Sequence, residues 1–281
     1  MISGTRYQLR LETNRQLRLA GEIARAQAEI STGKKILAPS DDPVAAARIS
    51  DIGRSQANQK TWRANLDKAM AIYAQADGVL KSLGTTFTRA AELMVQGSNR
   101  ILSPEDRNAI ALELQSLSEH VASLRGTRDS RGELLFPDGV PTRIPVAAEF
   151  ELTAVADRGA VFDNVATPSG TNDLVKMLSD AALAIQGGSA APIAAIMDEV
   201  NAAVVHIASV HAEHGSRGNR IDDMIEQSES VKLVMEEERK GLESADIAEV
   251  IARLQSKELS LEAAQAAFAR IHRSNLFDLI G

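Results

Sequence analysis

Ser244-Ala-Asp-Ile247-Ala-Glu-Val250-Ile-Ala-Arg-Leu254-Gln-Ser-Lys257-Glu-Leu-Ser-Leu261-Glu-Ala-Ala264-Gln-Ala-Ala-Phe268-Ala-Arg-Ile271 is the stretch whose period decides the fold. Ile247, Leu254, Leu261 and Phe268 recur every seven residues, and Val250, Ala264 and Ile271 follow the first, third and fourth of them by three. A heptad stripe held this long belongs to a helix packed along another helix. Lys257 interrupts the second d position. Such a helix has no core of its own and needs a partner of the same period. The opposite end of the chain offers one. Ile2, Leu9, Ile23 and Ile30 share a seven-residue register, with Gln16 as its polar break and Leu19 and Ala26 filling out the stripe.

Composition points the same way. The 281 residues are 44% hydrophobic but only 3% aromatic, with one Trp and two Tyr. Aromatic side chains bury the most area in a globular core, so their scarcity beside abundant Ala, Leu, Glu and Arg favours long helices lying side by side. The net charge of −7 argues against sequence-blind nucleic-acid binding, which needs Lys and Arg to displace counterions from phosphate. No apolar run near 18 residues is evident, so neither a transmembrane helix nor membrane insertion is expected. Met1-Ile2-Ser3-Gly4-Thr5-Arg6 lacks the apolar core of a cleaved secretory signal. The absence of Cys excludes disulfides, thiolate metal sites and a Cys nucleophile.

In chain order, residues 5–32 predict a first helix, closed at Ser31-Thr32-Gly33. Pro39, Ser40, Asp41, Asp42 and Pro43 form a non-helical joint, and Asp42 before Pro43 is a strong helix start. A second helix follows from Pro43 to about Gly97. Ser103-Pro104-Glu105-Asp106 carries a capping-box spacing and starts a third, to about Arg128. Glu133–Phe136, residues 146–153 and Ala160-Val161-Phe162 then read as short strands. Helices resume near Thr171 or Asn172 and stop at Gly187-Gly188. The next runs from about Pro192 to Leu242, continuous across Gly215 and Gly218 because the apolar period keeps phase. The expected fold class is mainly α: a long antiparallel helical rod with a small β-hairpin insert. Its parts are terminal heptad helices at 1–36 and 243–281, a long helical bundle at 37–131 and 170–242, and the insert at 132–169.

No constellation points to catalysis or to a cofactor. His206, His211 and His214 step by five and three residues, not the i, i+4 spacing of a helical metal site. Asp41 and Asp42 could be paired acids, but cap geometry accounts for both. Gly33-Lys34 lacks the spacing of a phosphate loop and reads as a helix stop. Glu236-Glu237-Glu238 reads as a solvated face. The remaining candidate is an assembly interface along the heptads: Ile2, Leu9, Leu19, Ile23, Ile30, Ile247, Val250, Leu254, Leu261, Ala264, Phe268 and Ile271. Such a seam is expected to stabilise an assembly more than an isolated chain, whose ends would be disordered.

Ser31-Thr32-Gly33-Lys34-Lys35, followed by Ala38-Pro39-Ser40-Asp41-Asp42-Pro43-Val44-Ala45-Ala46-Ala47, resembles the joint of the flagellin superfamily. The proline before Ser-Asp-Asp-Pro is most like the branch of hook–filament junction proteins. Arg131-Gly132-Glu133-Leu134-Leu135-Phe136 is similar to a Gly-x-Tyr-x-Phe-Ala-Gly segment, with Leu134 in place of the tyrosine. Gly215-x-x-Gly218-Asn219-Arg220-Ile221 is similar to a Gly-x-Arg-x-Asn-x-Leu region. Asp246-Ile247-Ala248-Glu249 and Asn275-Leu276-Phe277-Asp278-Leu279 resemble the terminal helix and its ending. The resemblance implies a structural, non-enzymatic protein with flagellin-like inner (D0) and outer (D1) helical layers. It also implies export without a cleaved signal, an extracellular place in the bacterial flagellum and self-assembly into a ring. The partners implied are hook-associated protein 1, flagellin and an export chaperone. A minimal filament flagellin is the nearest alternative, and a cytoplasmic coiled-coil rod is the next. Arg89, Leu93 and Glu113 fall in a segment that resembles the flagellin helix recognised by an innate immune receptor, and they read first as plain structural wall residues.

Overall fold

The computed structural model describes the backbone of residues 2–277 and the side-chain surroundings of residue 7 and residues 9–270. The side chains of Ile2 and Ile271, and the Asn275–Leu279 ending, therefore lie outside the residues described in full. The chain is 76% helical, with small antiparallel β-hairpins. Its elements are α1 (Ile2–Thr32), α2 (Pro43–Gly97), α3 (Pro104–Arg125), β1 (Arg143–Ala147), β2 (Phe150–Thr153), a π-helical turn (Gly159–Asp163), β3 (Val165–Thr167), β4 (Gly170–Asn172), α4 (Leu174–Gly187), α5 (Ala190–Glu243) and α6 (Ile247–Phe277).

The helix boundaries follow from local chemistry. The Asp42 carboxylate accepts the Ala45 N–H at 2.9 Å, closing the first turn of α2. Ser103 Oγ accepts the Asp106 N–H at 3.1 Å while the Asp106 carboxylate takes the Ser103 N–H, the reciprocal box that the sequence predicts. Asp173 caps α4 through the Lys176 N–H at 2.9 Å. That helix ends at Gly188, whose φ of 67° needs a residue without a Cβ.

The chain forms two compact units: Met1–Ala57 with Val231–Gly281, and Asn58–Ser230. In the second, Leu66, Leu80, Leu83, Phe87, Leu93 and Met94 of α2 join Leu114 of α3 and Leu174, Met177 and Leu178 of α4 in one buried core. Helices α3 and α4 lie against each other, held by Ser118 Oγ donating to the Val175 carbonyl at 2.9 Å and by Arg125 with Asp173 at 2.8 Å. Phe136 and Phe162 meet edge to face at 5.3 Å between centroids.

Gly215 and Gly218 do not break α5, as expected, and they differ in purpose. The ring of Tyr73 lies against the backbone at Gly218, where a Cβ would fall 2.3 Å from its Cζ atom. The same ring stacks on His214 at 4.3 Å. Nothing lies within 4 Å of a Cβ at Gly215.

The β region departs from expectation. Residues 146–153 are not one strand. The chain turns at Ala148-Glu149, and β1 pairs with β2 in antiparallel register, Ile144 opposite Leu152, with an irregularity between Pro145 and Ala147. Val146 and Leu152 remain inward, but Phe150 is turned out. Glu133–Phe136 forms only an isolated bridge, between Arg128 and Leu134. Ala160-Val161-Phe162 is helical, because the Asp157 carboxylate caps the Ala160 N–H at 2.9 Å and starts a turn. The hairpin β3–β4 across Pro168-Ser169 has no counterpart in the sequence expectation. Helix α5 also contains an 18-residue window of mean hydropathy 1.5, long and apolar enough to cross a membrane by composition, against the sequence expectation. Ile193, Val200, Ala203 and Ile207 of that helix are buried in the core.

The two glycines provide a matched test. Gly218→Ala forces Tyr73 off the helix and should cost about 1–3 kcal/mol. Gly215→Ala should add about 0.5–1 kcal/mol through helix propensity alone. Urea denaturation of the two variants checks this. Equal responses would contradict the close approach of Tyr73.

Candidate assembly interface

Helices α1 and α6 pair within the chain. Glu29 contacts Arg253 and Glu22 contacts Lys257, so the partner number rises on α6 as it falls on α1, and the pairing is antiparallel. Ala26, Val250 and Ala264 are buried in the seam, with Leu19, Ile23, Ile30, Leu254, Leu261 and Phe268 half-buried around them. Apart from Leu9 and Ile247, the described heptad residues are thus buried or half-buried on two helices that pack together. Leu9 and Ile247, at the fringes, are 38% and 36% exposed.

Lys257, the break in the stripe, is a contact. Its ammonium pairs with Glu22, and Arg253 one turn earlier pairs with Glu29. Glu29 is buried and also receives Arg25 at 3.2 Å. Glu22 and Glu29 lie seven residues apart, on the same flank of α1, and the two cations lie four apart on α6. That acidic heptad facing a basic turn is present in the sequence and is the signal that an apolar count misses.

The joint ties both chain ends to one place. Gly33, with φ 67°, stops α1 as the sequence suggests. The Lys35 N–H donates to the Glu243 carbonyl at 2.8 Å, and the Ala245 N–H donates to the Gly33 carbonyl at 3.0 Å. Lys34 pairs with the Glu243 carboxylate at 2.9 Å. Asp41 accepts the Leu37 and Ala38 N–H groups at 3.0 Å each and meets Arg25 at 3.0 Å. Arg25 therefore links Glu29 in the seam to Asp41 in the joint. The backbone donors of Ala38 and Leu37, with Arg25 behind them, hold the Asp41 carboxyl below its ordinary range. Lys257 does the same to Glu22, and Lys34, helped by Arg239, to Glu243. Pro39, Ser40 and Pro43 are exposed around this centre.

With the heptad residues facing inward, a second apolar set faces out. Leu11 and Leu17 of α1 and Ile251 and Leu259 of α6 are exposed, Leu17 and Leu259 by 65% and 69%. Tyr7 is exposed beside them. A sequence reading that follows only the strongest period misses this set.

The other candidates resolve individually. Among the described residues no group of three or more His, Asp or Glu is placed to hold a metal. His211 pairs with Asp77 at 2.9 Å, and His214 lies under Tyr73, where burial lowers its pKa. Glu238 binds Arg48 at 2.6 Å. Arg89 is engaged by Glu113 at 2.8 Å, and Leu93 is buried in the core.

Residues 7–139 match the bacterial flagellin N-terminal helical region. The chain is 23% identical to flagellar hook-associated protein 3 of Escherichia coli, over 89% of this chain and 90% of that protein. A flagellin of Listeria monocytogenes is 29% identical, but over 40% of each chain. Among solved structures, the flagellar junction protein FlgL from Legionella pneumophila superposes with a TM-score of 0.59 at 13% identity, covering 70% of this chain and all of that one.

The lowered carboxylates set a pH dependence. Glu22, Asp41 and Glu243 have folded values below their unfolded ones. Their stabilisation is complete above the ordinary carboxylate range near 4 and is lost as pH falls through the depressed values. Hydrogen-exchange protection factors over residues 22–41 and 243–257 should therefore fall between about pH 4 and pH 2. Unchanged protection across that interval would contradict the joint's ionic organisation.

Proposed function

We propose, on the premise that the chain belongs to the flagellin superfamily, that its helical ends make it one ring subunit of the junction between the flagellar hook and the filament. Its role is structural, as in hook-associated protein 3. The observation that carries this reading is the likeness to that protein over nine tenths of its length, whereas the flagellin likeness stops at 40%. The chain is a component of the flagellum and lies outside the cell.

In this reading the segments 1–36 and 243–281 form the inner layer, 37–131 and 170–242 the outer wall, and 132–169 a short insert. The α1–α6 pair acts as one prefabricated duplex. Its heptad residues Leu19, Ile23, Ile30, Val250, Leu254, Leu261, Ala264 and Phe268 hold the duplex together. Its outward residues Leu11, Leu17, Ile251 and Leu259 meet neighbouring subunits. Fully burying a Leu or Ile side chain contributes about 1.5–3 kcal/mol, so a few such contacts per subunit, repeated around a closed ring, suffice for stable assembly. Hook-associated protein 1 lies on one side and flagellin on the other. The chain travels unfolded, escorted by a chaperone and without a cleaved signal.

A strain lacking the chain should carry hooks without filaments and shed flagellin into the medium. In that strain, Leu259→Asp should give a soluble chain with unchanged helix content by circular dichroism and no filaments. Leu261→Asp should lose terminal helix content as well. Normal filaments with Leu259→Asp would remove the outward stripe from the account, and normal filaments in the deletion strain would remove the junction role itself.

A further inference from the structure

A cavity of about 260 Å³ opens at the end of the Asn58–Ser230 unit, between the α2–α3 loop and the α4–α5 turn. Ile193, Ala194 and Met197 line its apolar side, and Arg100 and Arg107 its polar side. A water takes up about 30 Å³ in the liquid, so the space has room for an aromatic side chain. The Arg107 guanidinium crosses Gly188 so closely that a Cβ there would fall 2.2 Å from Nη1. Arg107 Nε is buried with no acceptor. Neither arginine has an ion-pair partner among the described residues. Ile101, next to the cavity wall, is 91% exposed.

A complementary element stands elsewhere on the same unit. The β1–β2 turn presents Phe150, 45% exposed, between the exposed carboxylates of Glu149 and Glu151. This hairpin is fixed to α2 by Asn65, whose side-chain N–H donates to the Pro145 carbonyl at 2.7 Å. Asn65 and Gly97 lie at opposite ends of this part of α2, about 48 Å apart at 1.5 Å rise per residue. A chain therefore cannot fill its own cavity with its own hairpin.

We infer that the hairpin tip of a second copy docks in this cavity, Phe150 entering against Ile193 and Met197 while Glu149 and Glu151 engage Arg100 and Arg107. The inference rests on the self-assembly reading above and names a contact between copies that does not involve the terminal helices. Tip and cavity are different surfaces, so the contact is heterologous: each docked copy leaves one of each free, and repetition builds a ring or a row. An aromatic anchor flanked by arginine–carboxylate pairs is the composition that concentrates binding energy in interfaces.

The absence of Cys makes the test direct. Ala148→Cys and Ala190→Cys flank the tip and the cavity, and both positions are exposed. A strain carrying both changes on the full chain is treated with a short bis-maleimide, and motility reports independently whether the junction role is intact. The expected result is chain–chain dimers and larger adducts from the double variant in motile cells, with none from either single variant. Adding Arg100→Glu and Arg107→Glu should cut the yield at least tenfold, and adding Glu149→Arg and Glu151→Arg to that variant should restore it. Motile cells without adducts, adducts to a different protein, or dimers from Ala148→Cys alone would overturn the inference. If motility is lost, crosslinking an equal mixture of the two purified single variants decides the same question: mixed dimers support the contact and their absence overturns it.

Discussion

Glu29 sits buried in the α1–α6 seam between Arg25 and Arg253, and the cost of leaving that charge without a partner governs how the two chain ends meet. An apolar heptad stripe tolerates many alignments, because sliding one helix by a heptad exchanges one aliphatic contact for another. A buried carboxylate tolerates few, since an unpaired buried charge is strongly destabilising. Lys257 against Glu22 adds a second fixed point on the same flank. Polar residues inside the seam thus select antiparallel pairing in one register, and Arg25 carries that register into the joint through Asp41.

The Asn58–Ser230 unit solves a different problem. With few aromatics, it brings helices close enough for Leu, Ala and Met to fill the space between them. Glycine permits that approach where large residues intervene: Gly218 under Tyr73 and Gly97 under Ile185, where a Cβ would fall 2.4 Å from the Ile185 side chain. The buried Glu199 is matched here as Glu29 is in the seam. Glu199 is held by Ser169 and by Asn172, the latter at 2.8 Å, so the β3–β4 hairpin pins a carboxylate of α5 in place.

Much of this is legible in the sequence. Asp42-Pro43 and Ser103-Pro104 with Asp106 locate two helix starts because capping is local chemistry, decided within four residues. The pairing of the two ends is legible because a seven-residue period survives without any alignment. The β elements are harder. The β1–β2 turn at Ala148-Glu149 has neither Gly nor Asn to mark it, and unbroken alternation from Val146 to Leu152 reads as one strand. Phe150 reads as inward for that reason. The candidate interface is half legible: the period finds the heptad residues, but which of them face the chain's own partner helix depends on tertiary pairing. The outward leucines become identifiable only once that pairing is known.

If α1 and α6 of the same chain form the duplex, the two helices stay close within every chain, whatever its neighbours. Spin labels at Arg15→Cys and Gln265→Cys would stand on exposed positions, seven residues before Glu22 and eight after Lys257. Flagella assembled from labelled chain diluted with unlabelled chain should then show one short separation, set by helix axes about 8–10 Å apart, that persists at every dilution. A short separation that vanishes on dilution would mean that each seam joins two chains, and a broad, long distribution would mean that the ends do not pair at all.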